Sequence, residues 1–160
     1  MKYLLTTIMM LVSLSLSMSS CGKDNNLEPM SEIENNTNGT TNATGSKMKI
    51  IVGAAVFTAT LNDNQSANAF KAMLPLSIKM EDLNANEKFY NFTGTLPTNA
   101  SVGGNIQVGD IMLYGNNCLV IFYKGFNTSF SYTRLGKIDN VTGLVAALGS
   151  GDVNVRFELQ

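Results

Sequence analysis

Strict alternation constrains this chain more than any other feature. Leu74, Leu76, Ile78 and Met80 alternate with polar Ser77, Lys79 and Glu81. Near the end, Val153, Val155, Phe157 and Leu159 alternate with Asn154, Arg156 and Glu158. A period of two puts successive side chains on opposite faces, so each run reads as a half-buried β-strand. Ile50 and Val52 open an earlier strand, and residues 55–61 follow it through Gly53. Residues 87–95 and 129–138 are further strands. Residues 111–114 and 118–124 flank Gly115-Asn116-Asn117, which reads as a tight hairpin.

Two segments break the pattern. Asp63 and Ser66 are N-cap candidates for a short helix in which Ala67, Phe70 and Leu74 share a face, ended by Pro75. Val141, Leu144, Val145 and Leu148 mark a second short helix, with Gly149 as its stop. Seven or eight strands and two short helices in residues 47–160 fit one mainly β domain with a single core. A closed or nearly closed β-barrel of about eight strands, capped by the helices, is the leading architecture. Its first and last strands would pair, because closure removes exposed edges. A β-sandwich satisfies the same alternation.

The chain has no histidine and no tryptophan. Without His the usual general base near neutral pH is missing, and Ser-His-Asp and Cys-His catalysis are excluded. Of the two cysteines, Cys118 lies in the apolar run 118–123 and reads as a small core hydrophobe. Neither a disulfide framework nor a zinc cluster can form, and no metal or cofactor is expected. The net charge is −1 with no Lys/Arg cluster, which leaves nucleic-acid binding without electrostatic support.

The N-terminus carries the clearest address. Lys2 precedes an apolar stretch over residues 4–16, followed by Met18-Ser19-Ser20-Cys21. The stretch falls short of the about 20 apolar residues that a membrane-spanning helix needs. Charge, apolar segment and small residues follow the plan of a secretory signal. A Cys at the first mature position makes it resemble a bacterial lipoprotein signal, with Met18 where that family usually has Leu. The resemblance implies cleavage after residue 20, acylation of Cys21, and membrane attachment through the lipid. Residues 22–46, rich in Asn, Thr and Gly, cannot bury enough apolar surface to fold and read as a tether. As a flexible chain it would span roughly 25–30 Å. Lys23-Asp24 resembles the charged export signals of Bacteroidetes surface lipoproteins, which points to the cell envelope and its outer membrane.

Within the folded domain, Val108-Gly109-Asp110-Ile111-Met112-Leu113-Tyr114, Leu119-Val120-Ile121-Phe122-Tyr123 and Ser131-Tyr132-Thr133-Arg134-Leu135-Gly136-Lys137-Ile138 occur in order. Together with the order of elements, they make residues 47–160 resemble the bacterial cyclophilin-like domain of Bacteroidetes lipoproteins. That resemblance implies an eight-stranded barrel with two capping helices. It does not carry over prolyl isomerase activity. The family's enzymes use an Arg near a Phe-bearing strand, a Gln-Gly-Gly segment, and pocket Trp and His. None of those contexts surrounds Arg134 or Arg156, the only arginines.

Catalytic residues are therefore not assigned. Arg134 lies near Tyr123, Phe126, Phe130 and Tyr132 in sequence, which makes an aromatic surface with one cation the candidate ligand site. The bland reading has Arg134 packing its stem on a ring and Phe126 and Phe130 capping the barrel. Asp110 follows Gly109 in a turn where Asp commonly bonds its own backbone. Glu81 and Asp82 are adjacent, so they face opposite ways and cannot pair as acid and base. Gly103-Gly104 reads as a flexible connection. The expected function is that of a lipid-anchored, non-catalytic envelope domain that binds a small ligand or protein segment at this surface, with a divergent prolyl isomerase as the alternative.

Overall fold

The computed structural model describes residues 46–160. The signal, Cys21 and the tether up to residue 45 lie outside the described residues. Along the chain run β1 (Lys47–Val52), β2 (Ala55–Leu61), α1 (Gln65–Lys71), β3 (Leu76–Leu83), β4 (Glu87–Asn91), β5 (Ser101–Ile106), β6 (Asp110–Tyr114), β7 (Cys118–Phe122), β8 (Phe126–Ile138), α2 (Leu144–Leu148) and β9 (Val153–Leu159).

The sheet order is β2-β1-β9-β3-β4-β7-β6-β8-β5, with β8 also paired to β2. Eight strands thus close into an antiparallel ring, and β5 is attached outside it to β8. The first and last strands pair as their patterning predicts, with Ile50 opposite Phe157. β8 is long enough to serve three partners. Its first half pairs with β5, Tyr132 to Lys137 pair with β6, and Gly136 to Ile138 close the ring against β2. The closure needs a glycine: a Cβ on Gly136 would stand 2.4 Å from the Thr60 carbonyl oxygen.

Alternation decides which face is buried. Met48, Ile50 and Val52 of β1, Phe57, Ala59 and Leu61 of β2, and Val155 and Phe157 of β9 all point into one core. The helices plug it. Ala67 and Phe70 of α1 and Leu144 and Leu148 of α2 are buried there, and Phe70 meets Phe157 edge-on at 5.7 Å. Burying a ring of this size stabilises by roughly 2–3 kcal/mol.

Local details differ from the sequence expectation. The N-cap of α1 is Asn64, whose Oδ1 accepts from the Ala67 N–H at 2.8 Å, while Ser66 is buried in the first turn. The helix stops at Lys71, ahead of Pro75. β4 ends at Asn91, because beyond it Phe92 and Leu96 donate their N–H groups to Asn117 and Asn116 in the β6–β7 turn. Gly103-Gly104 is strand rather than connection. A Cβ on Gly103 would lie 2.9 Å from Thr128 and 3.0 Å from Tyr132, so the missing side chain is what lets β5 dock on β8.

Candidate functional site

The ring has a second apolar cluster on its outer face. In β6 and β7 the odd residues Ile111, Leu113, Leu119 and Ile121 face the main core. Their neighbours Met112, Val120 and Phe122 face out, where Ile106 of β5 and Tyr132 of β8 cover them, with Phe126 partly buried alongside. Phe122 meets Phe126 at 5.6 Å and Tyr132 at 5.5 Å, both edge-on. The row continues from Tyr132 to Tyr114 at 5.4 Å, and from Tyr114 to Phe130 at 6.2 Å.

The cover is incomplete, and a groove of about 700 Å³ remains between β4, the β6–β7 hairpin and the first half of β8. Its walls are aromatic: Phe89, Tyr114, Phe126, Phe130 and Tyr132. Its rim carries amides from the β3–β4 turn, where Asn84 and Ala85 take positive φ and the Asn86 N–H bonds back to the Leu83 carbonyl. Asn tolerates that conformation because its short polar side chain bonds locally.

Glu87 sits at the base. Pleating sends Glu87 and Phe89 of β4 to the groove and Lys88 to the opposite face. The Glu87 residue is only 9% exposed, and burial raises its carboxyl above the usual range. Cys118 also lines the groove, and burial, helped by the charge of Glu87, pushes its thiol up to about 11. At neutral pH it is a thiol, not a nucleophilic thiolate. Burial and then Glu87 also raise the Tyr132 hydroxyl. Asn86 Oδ1 is buried without a hydrogen-bond partner.

Of the five residues expected to share a surface, the groove brings together Phe126, Phe130 and Tyr132. Arg134 and Tyr123 are set apart from it. The Arg134 guanidinium donates to the Gly103 carbonyl at 3.1 Å and lies 3.5 Å from Asp110 Oδ2. Tyr123 is 5% exposed and donates its hydroxyl to Asp82 Oδ2 at 2.7 Å. Asp110 accepts from the Gln107 N–H at 3.0 Å, the local turn bond its position suggests.

Sequence reasoning did not single out Lys88, which is fully buried. Its Nζ donates to Asp82 Oδ2 at 2.5 Å and to the carbonyls of Gly149 and Gly151 at 3.0 and 2.6 Å. The ammonium also lies 5.2 Å from the centre of the Tyr123 ring. All three of its donors are used, so the cluster ties β4 to the loop after α2 and has none left for a ligand. The bond from Lys88, followed by that from Tyr123, holds the Asp82 carboxyl below its ordinary range. The signal lay in the pleat, since Lys88 shares a face with Tyr90, which packs on the core.

A ring of eight antiparallel strands with two short helices, and a ligand-sized groove on its outer face, defines a mainly β domain built on a closed ring sheet. The model of the cyclophilin-like family matches residues 50–158, and the chain belongs to that family. Its fold is similar to the solution structure of the hypothetical protein AF2241 from Archaeoglobus fulgidus, with a TM-score of 0.51 and 14% identity. That likeness covers 76% of this chain and 100% of the archaeal one. No curated protein matches the chain.

Proposed function

We propose that this protein is a lipid-anchored cell-envelope domain that holds a small ligand or a protein segment in the aromatic groove and performs no chemistry on it. The observation that carries the reading is the groove itself: about 700 Å³ lined by five aromatic rings, with Phe130 62% exposed and Tyr114 46% exposed. Leaving such rings in water forfeits burial that a ligand would recover. The groove's own groups do not supply catalytic chemistry. Its thiol is held protonated, its single carboxyl is desolvated, and the chain has no histidine.

Attachment through Cys21 rests on the resemblance of residues 1–21 to a lipoprotein signal. Among the described residues no helix is long and apolar enough to cross a membrane. A Cys21→Ala chain should leave the membrane fraction, and its retention there would sink the anchor.

For the groove, we expect members of a mixed peptide and small-molecule library to bind the full chain and to lose binding in Phe130→Ser. A library that never distinguishes the two proteins would refute the site. The same proteins in a proline isomerisation assay decide the alternative. Activity that disappears in Arg134→Ala would make the domain an enzyme and overturn the non-catalytic reading.

A further inference from the structure

The groove is chemically lopsided. Among its lining residues there is one carboxylate, Glu87, and neither lysine nor arginine. The Glu87 residue is nine-tenths buried, and burial raises its carboxyl above the ordinary range. No described hydrogen-bond donor or cation offsets its burial. Beside it in sequence, Asn86 Oδ1 is a second acceptor without a donor. A buried acceptor left unmatched is costly, and folded proteins leave few of them. Asn86 is also held firmly, because its carbonyl accepts from the N–H groups of Tyr123 and Lys124 at 2.9 and 3.2 Å. Glu87 therefore lines a groove whose walls are aromatic faces, the surface that attracts an organic cation, and no lysine or arginine lines it.

We propose that the groove recognises a polypeptide segment through a lysine or arginine side chain, whose cationic head is received by Glu87 and whose aliphatic stem lies along Phe89, Phe126 and Tyr132. This rests on the groove being the binding site. A peptide is favoured over a free amine by the size of the groove and by its amides. About 700 Å³ exceeds what one alkylamine fills, and Asn84, Asn91 and Asn127 line it as partners for peptide N–H and C=O groups.

The test uses the full chain in detergent micelles, with backbone amide shifts of Asn86, Glu87 and Cys118 as reporters. Three probes are titrated: acetyl-Ala-Lys-Ala-amide, the same peptide acetylated on the lysine side chain, and pentylamine. The lysine peptide should move the groove amides and bind at least about tenfold more tightly than its neutral form, as charge-assisted hydrogen bonds allow. Glu87→Gln, which preserves shape, should erase that preference. A well-dispersed amide spectrum establishes that each variant is folded.

Equal binding of charged and neutral peptides would overturn the cation reading and leave the groove intact as a site. Pentylamine binding as tightly as the peptide would overturn the polypeptide source. If none of the probes moves the groove amides at millimolar concentration, both the cation reading and the groove site fall.

Discussion

Among the described residues, Lys88→Met removes the one charge that is buried completely, and the structure says what is left behind. The substitution keeps the stem's volume while deleting three donors. The carbonyls of Gly149 and Gly151 lose their Nζ partner, and Asp82 loses its cation. Asp82 is not stranded altogether, because its side chain is 20% exposed and the Tyr123 hydroxyl still reaches it. Breaking a buried ion pair by removing one partner costs about 3–5 kcal/mol. The residual exposure of Asp82 places the expectation near 3 kcal/mol. A domain of this size has only about 5–15 kcal/mol in total.

Urea unfolding followed by far-UV circular dichroism reads the loss directly. With a slope of about 1.5 kcal/mol per molar urea, the midpoint should fall by roughly 2 M with the slope unchanged. Asp82→Asn added to Lys88→Met should restore part of it, since the unpaired carboxylate is then gone. The sign with pH follows from Asp82. Its folded pKa is lowered by Lys88 and Tyr123, so its stabilisation is present above the ordinary carboxylate range and lost as pH falls through the folded value. Lys88→Met should shrink that acid-side loss. A midpoint shift below about 0.3 M would refute the reasoning, because it would mean that water replaces all three bonds at little cost.

Three further outcomes are expected. Glu87 has its folded pKa raised by burial, so stability should decline as pH rises through that value, and Glu87→Gln should flatten the decline in a thermal-melt series. A decline that persists unchanged in the variant would mean that another group titrates. Gly136→Ala forces a Cβ against the Thr60 carbonyl and Leu61 Cα where the ring closes, and should cost about 3 kcal/mol, or roughly 10 °C in Tm. An unchanged Tm would show that the β2–β8 contact yields freely. Asn64→Ala should cost about 1 kcal/mol in urea for the lost cap, whereas Asn64→Asp should retain the cap and lose only the Nδ2 bond to the Arg134 carbonyl.

The fold was legible where side chains had one job. In β1, β2, β3 and β9 the even spacing of Met48, Ile50 and Val52, or of Val155 and Phe157, reports a single buried face, and the pairing of first and last strands follows from it. Gly115-Asn116-Asn117 marked the hairpin between β6 and β7 for the same reason: turn chemistry is local. β5 was not legible. Ser101-Val102-Gly103-Gly104 has the composition of a loop, and its strand conformation depends on Thr128 and Tyr132, which are distant in sequence. Propensity cannot register a glycine that is needed for a close approach.

The candidate groove was partly legible for a related reason. Phe126, Phe130 and Tyr132 are near neighbours in sequence, which grouped them, and β8 starts at Phe126 rather than at residue 129, so that their even spacing puts them along one strand. Arg134 continues the same spacing, yet its guanidinium turns to Gly103 of β5, the strand that sequence reasoning had taken for a connection. Misreading β5 thus removed the partner that takes the cation away. Tyr123, just past the end of β7, continues the odd-numbered set of Leu119 and Ile121 into the main core, where it meets Asp82 and Lys88 on the side away from the groove. The groove's acid was hidden differently. β7 is covered on both faces, by the main core inside and by Phe126 and Tyr132 outside. That double covering makes 118–123 a continuous apolar run, and it also leaves Glu87, opposite Phe122 on the adjacent strand, shielded from water. A run apolar at every position on a ring strand is therefore the sequence trace of an outer layer, and a carboxylate paired beside that run is where a buried charge in need of a partner should be sought.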